Sequence, residues 1–115
     1  MSKKIEFKST NHNDWKIFSI IGSLDTVTAP ESEKAGSAVL QENDKIALDM
    51  TAMNYISSDG LRILLRLAKQ AKRSKKNFVL FGATGMIKEV LETSGMDILV
   101  KIYKIALKVN LSKKK

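Results

Sequence analysis

The hydrophobic positions change period along the chain, and each change marks an element. Residues 5–9 alternate, with Ile5 and Phe7 on one face, which predicts a short strand. Asn11, His12, Asn13 and Asp14 make a polar turn signal. Residues 15–22, WKIFSIIG, alternate at first and become wholly apolar at Ile20 and Ile21. Two such segments around a short turn predict a hairpin. Residues 22–30, GSLDTVTAP, are rich in turn formers and predict a loop. A helix is predicted over 31–41, with Pro30 near its first position and Thr28 as candidate cap. Ala35, Ala38 and Val39 would form its apolar face, Gly36 weakens it, and ENDK closes it.

Residues 46–50, IALDM, fit a buried strand, and TAMNYI leads from it to the segment ISSDGL. From Ser58 the period is helical: Leu61, Leu64, Leu65, Ala68 and Ala71 share one face, flanked by Ile63 and Leu67. Arg62, Arg66, Lys69, Arg73 and Lys76 form a basic stripe on another face. Residues 77–82, NFVLFG, predict a second buried strand. TGMIKEVLETSG predicts a helix capped by Thr84, apolar at Met86, Ile87, Val90 and Leu91, and stopped by Gly95. Residues 98–103, ILVKIY, predict a last strand, and 105–111 a short terminal helix. Met53, Met86 and Met96 read as core fillers.

Strands alternating with helices after a hairpin predict one α/β domain. Its sheet is mixed and mostly parallel, and about four helices pack against it. The domain spans 1–111, followed by a basic tail, 112–115, expected to be disordered. GSLDTVTAP and ISSDGL both follow strands and precede helices, so right-handed crossovers bring them to one end of the sheet, where α/β proteins place their sites.

At 115 residues the chain is long enough to bury a core without staples, and it has no cysteine, so disulfides and thiolate chemistry are excluded. Its single histidine, His12, leaves little for a metal site or a histidine-based triad. No apolar run approaches the roughly 18 residues of a membrane span, and the start lacks a signal-peptide core, which predicts a cytoplasmic protein with no membrane partner. The net charge is +8. Its basic clusters are not interleaved with aromatic residues, so there is no stacking platform for nucleic acid. A solvated helix face and a basic tail account for the charge.

Catalytic signals are missing as well. GATG lacks the further glycine and acidic residue of a dinucleotide fingerprint, there is no phosphate-binding loop, and Asp25 and Asp59 are two carboxylates in two loops. The pattern argues against an enzyme and implies no cofactor or metal. Read by themselves, Ser57 and Ser58 are caps for the helix that follows, and Asp25 is a turn residue.

Three segments together resemble the anti-sigma factor antagonists of the STAS domain family: GSLD, YISSDGLRILL, and NFVLFGATGMIKEVLETSGMDILVKIY. The resemblance covers about residues 17–103 and implies a STAS-like fold. It also implies a partner, an anti-sigma factor that is a serine kinase, and a switch. The kinase phosphorylates a serine at the N-terminus of the second helix and so ends the binding, and a serine phosphatase restores it. Anchored on Gly60 and Leu61, the acceptor falls on Ser58, with Ser57 as second choice, and Asp25 matches the family's loop aspartate. Two positions depart from the usual motif. Ser57 stands where an aspartate is expected, and Asp59 places a carboxylate after the acceptor. Asp25, Thr26, Ser57, Asp59, Gly60, Leu61, Arg62, Ile63 and Arg66 are the expected partner surface, with Gly60 keeping the first turn open and Leu61 and Ile63 as its apolar part. The alternative is a STAS interaction or ligand-binding module of another bacterial signalling assembly that is not phosphorylated.

Overall fold

The computed structural model describes residues 5–104. The chain runs β1 (Ile5–His12), β2 (Trp15–Leu24), α1 (Ala29–Glu42), β3 (Lys45–Asp49) and β4 (Met53–Ile56). It continues through α2 (Ser58–Arg73), β5 (Asn77–Phe81), α3 (Gly85–Thr93), α4 (Met96–Leu99) and β6 (Lys101–Tyr103). The six strands form one sheet in the order β1-β2-β3-β5-β6, with β4 beside β2. Only the β1–β2 hairpin is antiparallel. It runs through His12 rather than stopping at Ser9, and it closes over Asn13, whose φ of 57° asparagine tolerates better than most residues.

β2 changes partner halfway along. Lys16 to Ser19 pair with β3; beyond a register shift at Gly22, Ser23 and Leu24 pair with β4. The Gly22 amide donates to Ala52 O at 3.0 Å, which seats the crossover between the two partner strands. The sequence pattern predicts no strand at β4. Its two buried residues, Met53 and Ile56, are three apart rather than two, so the alternation that marks a half-buried strand is absent. This short strand positions the site, because it lays the start of α2 directly beside the end of β2.

The strand faces sort as a period of two requires. Ile46 and Leu48 of β3 and Phe78 and Leu80 of β5 join the main core, together with Ile20 and Leu24 and the buried faces of the helices. Ala47, Val79 and Phe81 point the other way and form a smaller cluster with Trp15, Ile17 and Tyr103. The helices therefore lie on one face of the sheet.

Several predicted faces move. The α2 face centres on Ile63, Leu64, Leu67 and Ala71, with Gly60 and Ala68 also buried, while Leu61 and Leu65 are half-buried at its edge. α1 buries Ala29, Ser32, Gly36 and Leu40, and Ala38 is exposed. Gly36 is there because α2 passes close by: a Cβ at that position would lie 2.7 Å from Leu67 Cδ1. Met53 and Met96 fill the core, but Met86 is exposed, since it stands in the first turn of α3 while Ile87 and Leu91 turn inward. Gly95, at φ 82°, ends α3, and the chain makes one further turn at α4, so the last strand begins only at Lys101. The predicted helix at 105–111 and the tail at 112–115 lie outside the described residues.

Candidate functional site

The site is built where the ends of β2 and β4 meet. The Ser57 amide donates to Leu24 O at 2.9 Å, continuing the β2–β4 ladder one residue past the strands. α2 begins immediately afterwards. Ser57, at φ −99° and ψ 177°, is its N-cap: Oγ accepts from the Gly60 amide at 3.2 Å and the carbonyl accepts from Leu61 N at 2.8 Å. Ser58 is the first helical residue, is exposed, and has no hydrogen bond on its hydroxyl among the described residues. The two serines thus divide the roles that the sequence leaves open between them, Ser57 capping and Ser58 facing solvent.

Gly60 does not hold the first turn open. It is buried, and a Cβ there would meet Leu24 O at 2.5 Å and Leu24 Cγ at 2.8 Å. Its missing side chain lets α2 sit down on the end of β2. Ile63 is likewise taken off the surface, 2% exposed within the main core. The expected apolar partner contact is reduced to the half-buried Leu61, because the inward face of α2 is set one residue away from the predicted one.

The loop between β2 and α1 is organised by Asp25 and Thr28. Asp25 Oδ1 accepts from the amides of Val27 and Thr28, each at 3.0 Å. The Asp25 amide donates to Thr28 Oγ1 at 2.8 Å, and that hydroxyl donates back to Ser23 O at 2.7 Å. Asp25 is therefore the brace of a tight turn, an Asx arrangement that substitutes for a side-chain cap on α1. The turn lifts Val27 into solvent, 75% exposed. Val27 is absent from the predicted surface, although an apolar residue inside a polar loop is a readable signal.

Asp59 ties the two loops together. Its Oδ2 accepts from Thr26 Oγ1 at 2.7 Å, and its Oδ1 accepts from Arg62 Nη1 at 2.6 Å. The Thr26 hydroxyl first, and then Arg62, hold the Asp59 carboxyl below the ordinary carboxylate range. One turn on, Arg66 forms a two-pronged pair with Glu33 of α1, at 2.8 and 2.9 Å. That hydrogen-bonded pair lowers the Glu33 carboxyl in the same way. Thr26, Pro30, Glu33, Asp59, Arg62 and Arg66 line a groove of about 340 Å³ between the start of α1 and α2. Glu33 is a member that no sequence signal marks, since its partner lies 33 residues away on another helix.

The expected surface thus comes together in part. Thr26 and Arg62 meet on Asp59, the residue after Ser58, and Arg66 lies one turn further on; Asp25 and Ser57 shape the two loops; Gly60 and Ile63 lie beneath. Comparison with known proteins bears on what this arrangement serves. The STAS domain family matches residues 5–109. The anti-sigma-B factor antagonist of Listeria monocytogenes is 26% identical over 111 residues, 96% of this chain and 95% of that protein. Among solved structures, an anti-sigma factor antagonist from Mycobacterium paratuberculosis superposes with a TM-score of 0.83 at 23% identity, over 90% of this chain and 89% of its own. SpoIIAA, a Bacillus cell fate determinant solved in its phosphorylated form, superposes with a TM-score of 0.68 at 12% identity, over 91% of this chain and 97% of its own. The match over residues 5–109 and the shared fold place this protein in the STAS domain family.

Proposed function

We propose that this chain is an anti-sigma factor antagonist. It binds an anti-sigma factor that is a serine kinase through the start of α2 and the β2–α1 loop, and phosphorylation of Ser58 ends the binding. The observation that carries this reading is the division of labour between the serines: Ser57 caps the helix, and Ser58 offers an exposed hydroxyl at its first position. The Listeria relative, named an anti-sigma factor antagonist, and SpoIIAA, solved in a phosphorylated form, support it.

The chemistry asks little of this chain. Ser58 Oγ attacks the γ-phosphorus of ATP in the partner's active site; the new P–O bond forms as the bond to ADP breaks, and the hydroxyl proton leaves to a base of the kinase. The product carries about −1.5 to −2 charges at neutral pH. It stands at a helix N-terminus, where unpaired amides and the helix dipole favour an anion, so the fold tolerates it. The added charge therefore acts outward, on the partner that covers Thr26, Val27, Leu61, Arg62 and Arg66. A serine phosphatase reverses the step.

Calorimetric titration of the kinase anti-sigma factor with the unmodified and the Ser58-phosphorylated chain tests this. The phosphorylated form is expected to bind about tenfold more weakly or worse, the scale on which 1.4 kcal/mol acts. Equal affinity of the two forms would remove the switch and leave an interaction module of the STAS type.

A further inference from the structure

We infer that Arg62 reads the modification, pairing with Asp59 while Ser58 carries a hydroxyl and exchanging that carboxylate for the phosphate once Ser58 is phosphorylated. This rests on Ser58 being the acceptor. Spacing on α2 puts Arg62 within reach of both groups: Asp59 is three residues before it and Ser58 four, the two separations at which side chains on a helix are neighbours. The present pair is easily released. Arg62 holds Asp59 through one nitrogen, Nη1, at 2.6 Å, and 59% of its side chain is exposed. The rest of its planar fork is turned to no other acidic partner among the described residues.

A phosphoserine offers three acceptor oxygens and nearly two charges, against two oxygens and one charge on Asp59, and arginine favours two-pronged contact with phosphate. Asp59 is not stranded by the exchange, because Thr26 Oγ1 continues to donate to it at 2.7 Å. Arg66 is excluded from the role. It is already gripped by two bonds to Glu33, and it sits eight residues beyond Ser58, about 12 Å along the axis. The unmodified site then shows its partner an Asp59 whose charge Arg62 cancels. The modified site shows a phosphate clamped by Arg62 beside an Asp59 that has lost its paired arginine and keeps the Thr26 hydroxyl and the more distant charge of Arg66. In this arrangement Asp59 is part of the switch: it stores the arginine until the phosphate arrives.

The test uses the full chain with phosphoserine placed at position 58 during translation, so that it does not depend on any kinase. The phosphate is titrated by phosphorus NMR in the otherwise unchanged chain, in Arg62→Gln and in Arg66→Gln. Contact with Arg62 favours the dianion, so removing it is expected to raise the second phosphate pKa by about half a unit, the scale of an exposed ion pair. Arg66→Gln is expected to move it less than half as far. Equal shifts in the two variants, or none in either, would overturn the exchange. Failure of a cognate kinase to modify Ser58 would instead remove the switch itself while leaving this titration interpretable.

Discussion

Ser57 and Ser58 are adjacent, chemically identical, and structurally unlike. The difference is one of backbone: Ser57 has extended dihedrals that turn its hydroxyl onto the Gly60 amide, whereas Ser58 is already helical and points to solvent. Replacing the cap should cost stability and replacing its neighbour should not. Ser57→Ala is expected to lower the unfolding free energy by about 1 kcal/mol, and Ser58→Ala to change it by less than about 0.5 kcal/mol. Urea denaturation of the two variants measures this, and the opposite order would reassign the cap. The sequence shows that a cap lies in this pair without showing which serine it is, because the choice depends on where β4 delivers the chain against Leu24.

Acid titration addresses the carboxylates at the same scale. The folded state holds Asp59 and Glu33 below their ordinary pKa through Thr26 and Arg62 in one case and Arg66 in the other. Near those ordinary values the unfolded chain binds more protons, so stability there rises with pH. The contribution is present above about pH 4 to 4.5 and is lost as pH falls through the folded values. Urea midpoints followed from pH 6 to pH 3 are expected to fall less steeply in the Asp59→Asn, Glu33→Gln double variant than in the unchanged chain. Parallel curves would show that these pairs do not couple to folding.

At the scale of elements, the contact between α1 and α2 is set by a glycine against a leucine. Leu67 is 1% exposed, so it has little room to yield to a methyl group at position 36. Gly36→Ala is expected to be neutral or destabilising in the unchanged chain, the helix-propensity gain being offset by overpacking. In a Leu67→Ala background, itself about 2–5 kcal/mol less stable, the same change should stabilise by about 1 kcal/mol, because the clash is gone and the propensity remains. A double-mutant cycle by denaturation checks the sign change; additive effects would mean that the two residues do not touch. Hydropathy marks Gly36 only as a weak point in the helix. It gives no hint that α1 buries a glycine and Ser32 along with Ala29 and Leu40, since close approach of two helices is a tertiary fact. The same limit explains β4, whose two inward residues are too few to show a period, and the one-turn α4, where Gly95 redirects the chain before the last strand.

Across the fold, the order of strands and helices apart from β4 and α4, and the meeting of the two loops, are legible in the sequence. Turn formers after one strand and a serine-rich cap after another must reach the same end of a largely parallel sheet. Less legible is which residues of those loops face outward. Ile63 and Gly60 go inward because α2 is apolar around much of its girth and its seating is decided by the sheet. The excess positive charge is also distributed in a way composition cannot tell. Arg62, Arg66 and Lys76 of the basic stripe are each paired with a carboxylate, on Asp59, Glu33 and Asp44, so part of that stripe is internal to the surface network.

Ser58 is the residue at which we propose this network is switched. The most direct test is to incubate the chain and its Ser57→Ala and Ser58→Ala variants with the cognate kinase anti-sigma factor and ATP, then locate the phosphoryl group by tandem mass spectrometry. Modification of Ser58 in the unchanged chain and in Ser57→Ala, with none in Ser58→Ala, is the predicted result. Modification at Ser57, or none at either serine, would contradict it.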